Sequence, residues 1–103
     1  MISTKFSYTL KVHNSVYPIH KYLFNTIELH YKDMNIINWQ VGSSEKKAIH
    51  NDKNHYQTDV VIEITIKQNQ DLFNVKSRLF IILSLDPNLE ILRQECDPKD
   101  IYA

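Results

Sequence analysis

Five histidines, a lone cysteine and two carboxylates four residues apart are the groups through which this chain could do chemistry. His13, His20, His30, His50 and His55 could supply metal ligands, and His50 and His55 bracket Asp52 in a polar stretch, a mononuclear set on paper. Structural zinc takes closely spaced ligand pairs, usually with thiolates, and catalytic zinc takes three ligands on rigid elements. The stretch offers neither, so these read as solvated loop histidines and no metal is expected. Cys96 could be a nucleophile with a histidine base. Its neighbours Glu95 and Asp97 oppose that role, because negative charge beside a thiol disfavours the thiolate. Asp59 and Glu63 share one face of an alternating segment. Glycoside hydrolysis needs such a pair in a cleft with one pKa raised, whereas on a wet sheet face they are solubilising charges. The chain therefore reads as non-enzymatic, with no catalytic set.

Aromatic residues are the more promising group. Tyr8, Tyr17, Tyr22, Tyr31, Trp39, Tyr56, Phe73, Phe80 and Tyr102 exceed what a core of this size must bury. Such residues serve contact surfaces, where they give area at small entropic cost, and they equally suit half-buried strand positions. An interaction surface and an ordinary strand lining both fit the pattern.

Charge and composition narrow the partners. Twelve basic and twelve acidic residues cancel and are interspersed, so no field steers the chain to nucleic acid or to an anionic membrane. The longest apolar run, Leu79 to Leu83, is too short to span a bilayer, and the first residues lack the apolar run of a signal peptide. A single cysteine forms no internal disulfide and suits a reducing cytosol, so a cytoplasmic location is expected. One glycine, Gly42, cannot build a phosphate cradle, which excludes P-loop and dinucleotide-binding chemistry and leaves no cofactor expected.

These residues must be positioned by one domain, since 103 residues, 43% of them hydrophobic, suffice for one modest core over 1–103. Phe6 to Val12 alternates and reads as a strand with one wet face. Residues 19–32 read two ways: Ile19, Leu23 and Ile27 repeat at four as on a helix over 18–31, whereas Thr26 to Lys32 alternates as in a strand. The strand from 26 is the preferred reading. Ile36, Ile37, Trp39 and Val41 suggest a strand ending at Gly42, and Asn51-Asp52 suits a turn in the polar stretch that follows.

The clearest element is "YQTDVVIEITIK", with Val60, Ile62, Ile64 and Ile66 on one face. "QNQD" then reads as a turn into a second strand, "LFNVKSRLFIILSL", completing a hairpin. Asp86-Pro87 resembles an N-cap followed by proline at the first helical position, so a short helix is expected there, and Asp97-Pro98 repeats the signal. The expected fold is α+β: about four antiparallel strands with a short C-terminal helical segment. The alternative is β-α-β-β-β with a helix at 18–31.

From Trp39 to Ala103 the pattern resembles the SecB family of export chaperones. The resemblance rests on Trp39-Gln40, a polar crossover, the aromatic-led strand "YQTDVVIEITIK", a tight turn, "FNVKSRLFII", and the closing "ILRQECDPKDIYA". It implies a protein that holds unfolded or disordered polypeptide, with Trp39, Phe73, Val75, Phe80 and Ile82 in or under an apolar client groove. It also implies that the chain ends where the family's first long helix begins. Two positions depart: Arg78-Leu79-Phe80 stands where the family has glycine before Ile-Phe, and Lys76 where it has an acidic residue facing its motor partner. An unpaired edge strand without the helical layer would leave apolar surface bare, so a homo-oligomer, at least a dimer, is expected. The rival reading is a small inhibitor or immunity-type protein that binds one folded partner.

Overall fold

A computed structural model describes residues 1–96. The elements run β1 (Ile2–His13), a one-turn 3-10 segment (Asn14–Val16), α1 (Ile19–Glu28), β2 (Ile36–Ser43), β3 (Lys47–Ile49), β4 (Asp52–Ile66), α2 (Asp71–Leu85) and β5 (Leu89–Cys96). The sheet order is β2-β4-β1-β5, with the short β3 also on β4, and every pairing is antiparallel. This is the split β-α-β arrangement of ferredoxin-like folds, with β3 added. The fold is α+β, as expected. It has five strands rather than about four, and its helices interleave with the strands instead of gathering at the C-terminus.

β1 and β4 form the centre. Their alternation places Phe6, Tyr8, Leu10 and Val12 on the same face as Tyr56, Val60, Ile62, Ile64 and Ile66, all buried. The opposite face carries Ser3, Lys5, Thr9, Asp59, Glu63 and Thr65 and stays open to solvent. Both helices cover the buried face. Ile19, Leu23 and Ile27 of α1 and Leu72, Val75, Leu79 and Leu83 of α2 point into the same core. Each such side chain contributes about 1.5–3 kcal/mol by leaving water.

Three local expectations are corrected. The preferred strand from residue 26 is the end of α1 and the turns after it. The four-residue repeat of Ile19, Leu23 and Ile27 prevails, and the Thr26 hydroxyl donates back to the Tyr22 carbonyl within the helix at 2.9 Å. The turns close on Asn35 in the left-handed region at φ 56, a conformation Asn tolerates better than most residues.

"LFNVKSRLFIILSL" is α2 rather than the second strand of a hairpin. Leu72, Val75, Leu79 and Leu83 recur at helical spacing, but the unbroken run from Leu79 to Leu83 hides that stripe. "QNQD" is the lead-in to this helix, with the Asp71 and Leu72 amides donating to the Gln68 and Asn69 carbonyls.

Asp86-Pro87 starts no helix. The Asp86 carboxylate accepts from the Asn88 amide at 2.9 Å, an Asx turn that leads into β5. The second Asp-Pro signal lies outside the described residues.

The two faces of β4 make a direct check. Ile64→Ala, on the buried face, should cost about 2–5 kcal/mol in urea denaturation. Val61→Ala, on the open face, should stay within about 0.5 kcal/mol. Equal losses would contradict the register.

Candidate functional site: a cleft between the helices

The two helices pack on the sheet more than on each other. They are joined at both ends by hydrogen bonds. At one end the Tyr22 hydroxyl of α1 donates to the Asp86 carboxylate just past α2, at 2.5 Å. At the other, the Asn74 side-chain amide donates to the Asp33 carbonyl at 3.4 Å, and that of Asn35 to the Asp71 carboxylate at 3.3 Å. Between these ties lies an open cleft of about 520 Å³. Thr26, Leu29 and His30 form one wall, and Arg78, Ile81, Ile82 and Leu85 the other; Asp33 and Met34 complete the lining near the Asn74 tie.

Helix geometry explains the second wall. At about 100° per residue, α2 carries its core stripe on one side and Asn74, Arg78, Ile81 and Leu85 on the flank facing α1. Phe73 and Phe80, seven residues apart, share the flank turned away. Apolar side chains are far out of place on this layer. Leu29 is 81% exposed, Phe73 79% and Leu85 78%, with Ile81 and Phe80 also exposed. Arg78 makes no ion pair with any described residue, although Asp33 and Asp86 line the same cleft.

Of the five residues expected to form a client groove, the structure unites few. Phe73 and Phe80 share one exposed stripe of α2. Ile82 lines the cleft on the other flank. Val75 is fully buried beneath the helix. Trp39 sits on β2 opposite Ile64, its ring between Tyr31 (centroids 5.0 Å apart) and Phe24 (5.3 Å). Its indole N–H donates to the Phe24 carbonyl at 3.2 Å, which fastens α1 to the sheet edge. The five were grouped as residues of paired strands, and placing 71–85 in a helix turns them in different directions. Leu29, Ile81, Leu85 and Arg78 were missed. The signal for the α2 members was an apolar pair at i, i+4 beside the core stripe, visible only once the segment is read as a helix.

The other chemical candidates form no reactive centre among the described residues. Asp59 accepts from the Thr9 hydroxyl at 2.7 Å, and Glu63 lies 4.0 Å from the Lys5 ammonium, both on the open face. His55 meets Asp52 at 3.1 Å and packs nearly perpendicular to the His13 ring, their centroids 5.1 Å apart, while His50 is in the hairpin turn. No group of three or more potential metal ligands assembles among these residues. No described helix is long and apolar enough to cross a membrane. No family model matches the chain, and no curated protein is detectably similar in sequence.

The Tyr22–Asp86 tie has a pH signature. Burial first, and then the bond to Asp86, raise the Tyr22 phenol above its ordinary 10.0. The fold thus favours the protonated phenol. This contribution is complete below 10.0 and is lost as pH rises through the higher folded value. Above about pH 10 the parent protein should lose stability to urea more steeply than Tyr22→Phe. Parallel profiles would show that the tie does not hold the helices.

Proposed function

We propose that this chain is a non-enzymatic polypeptide-binding protein whose inter-helix cleft takes an apolar segment of a non-native or disordered partner. The observation that carries the reading is the placement of exposed apolar side chains. They concentrate on the helical layer, around and beside the cleft, whereas the outward positions of β1 and β4 are largely polar. A small domain that leaves Leu29, Ile81, Leu85, Phe73 and Phe80 in water loses solubility unless something covers them. Apolar walls with Arg78 and Asp33 at the rim suit a peptide, which offers apolar side chains together with backbone and charged groups. The SecB-like reading of the sequence points to the same class of client. Its assumption of a strand over 72–85 has no counterpart here, so the support comes from the exposed surface.

A homo-oligomer and a cytosolic setting belong to the same proposal. The outer strands are poor routes to self-association. β2 carries an extra residue at Ile37 and β5 one at Leu92, and such bulges disrupt edge pairing. The Phe73 and Phe80 stripe is the better route, since a second copy would cover it. The rival reading, one dedicated folded partner, is favoured by the ties at both ends of the cleft, which preorganise it for one shape.

The test is titration of the protein against a chemically unfolded, slow-folding client, with the folded client as control. Binding to the unfolded form alone is expected, with a Kd of about 1 μM. Leu29→Asp and Leu85→Asp should each weaken it about tenfold or more without lowering Tm, because both residues are exposed. Binding that both variants leave intact would remove the cleft from the proposal. Binding to neither form would leave the dedicated-partner reading.

A further inference from the structure

A polypeptide entering the inter-helix cleft brings an amide and a carbonyl with nearly every residue, and each must find a partner or stay in water. An extended segment finds such partners along a free strand edge. None of the described residues that line the cleft belongs to a strand. Its walls are α1 and α2, whose interior backbone groups bond within each helix. The loops at its ends are committed as well. The amides of His30 and Asp33 donate to the Ile27 and His30 carbonyls at 2.9 and 3.1 Å, and the Asp33 carbonyl receives the Asn74 side chain. At the other end the Asp86 carbonyl accepts from the Leu89 amide at 3.2 Å, and the Asn88 carbonyl from the His13 amide at 2.9 Å. Thr26 and Tyr22 spend their hydroxyls inside the fold, on the Tyr22 carbonyl and on Asp86. An extended chain seated here would bury its own backbone groups unpaired, a cost that folded structures avoid. A helix carries its backbone bonds with it.

The dimensions also match a short helix. From Asn74 to Asp86, where the ties close the cleft, α2 rises about 18 Å at 1.5 Å per residue. Three apolar side chains at i, i+4 and i+7 of a helix span about 10 Å of that length. The 520 Å³ between the walls has room for them, since a benzene-sized group takes about 150 Å³. Charge sets the register. Arg78 stands on the α2 wall one turn from Asn74 and one from Ile82, and makes no ion pair among the described residues. Asp86 is answered by the Tyr22 hydroxyl and the Asn88 amide, and Asp33 lies towards the Asn74 end.

On the basis of the function proposed above, we infer that the segment held in the cleft is an amphipathic helix of a partner protein. Three of its apolar side chains lie between α1 and α2, and an acidic residue on its flank meets Arg78. A helix of about 12 residues is marginal in water by itself, so the segment is disordered when free and folds as it binds.

Two synthetic peptides of about 14 residues and identical composition test this inference. In one, leucines stand at i, i+4 and i+7 with glutamate beside them; in the other, the same residues alternate as in a strand. The first should bind the full chain with a Kd of about 10 μM, and the second about tenfold or more weakly. Carbon chemical shifts of the labelled first peptide should move to helical values on binding. Leu85→Asp should abolish its binding. Arg78→Glu should weaken it about fivefold, and a peptide with lysine in place of glutamate should recover that loss. Equal affinity for the two peptides, bound shifts that remain extended, or binding of neither peptide overturns the inference. The chemically unfolded client, run alongside, separates this result from the function itself. Client binding without a helical preference overturns the helix alone, whereas no client binding removes both.

Discussion

The pairing of β1 with β4 is the constraint on which the rest depends. The two strands run antiparallel in unbroken register from Ile2 opposite Ile66 to His13 opposite His55. In that register every inward position of both is buried, from Thr4 to Val12 and from Tyr56 to Ile66. A slip by one residue would put Ile62 and Ile64 in water and Glu63 in the core, so the hydrophobic effect leaves one alignment. The remaining strands add to this pair, and both helices have a single apolar surface on which to lie.

From that surface follows the asymmetry of the molecule. One face of the sheet is solvated by Ser, Thr, Lys, Asp and Glu side chains that pair across strands, as Thr9 does with Asp59. The other is covered by two helices that are tied at their ends and apart in the middle. A helix satisfied by its sheet needs one apolar stripe, yet α2 has Ile81 and Leu85 on one flank and Phe73 and Phe80 on the other. The surplus lies outside the core, and no requirement of the fold accounts for it. Departures of this kind are where functional sites are expected, because a local cost to the fold persists where it brings a return elsewhere.

The electrostatics divide in the same way. Asp52 is lowered mainly by its hydrogen bond to His55, and Tyr22 is raised mainly by burial; both groups have partners within the fold and serve to hold it. Arg78 has no ionic partner among the described residues and stands beside the inter-helix cleft. In a chain with no net charge, recognition of a charged group must come from such local imbalance rather than from a long-range field.

β1 and β4 were legible in the sequence itself. Strict alternation of β-branched and aromatic residues admits one conformation and one inward face, and both are local properties. The helical repeat of Ile19, Leu23 and Ile27 was visible too, though it competed with an alternating stretch over the same residues. The nature of 71–85 and 86–96 was decided by tertiary structure. A continuous run such as Leu79 to Leu83 fits a buried strand or a buried helix, and Asp-Pro opens a turn as readily as a helix. What chose between them was β1, whose second edge was free to pair with Leu89 and Ile91, leaving residues 71–85 to cross over the sheet and cover its apolar face. The cleft was likewise beyond reach of the sequence. Leu29 and Leu85 lie far apart in the chain, and only docking of two helices on one sheet face brings them to the same space.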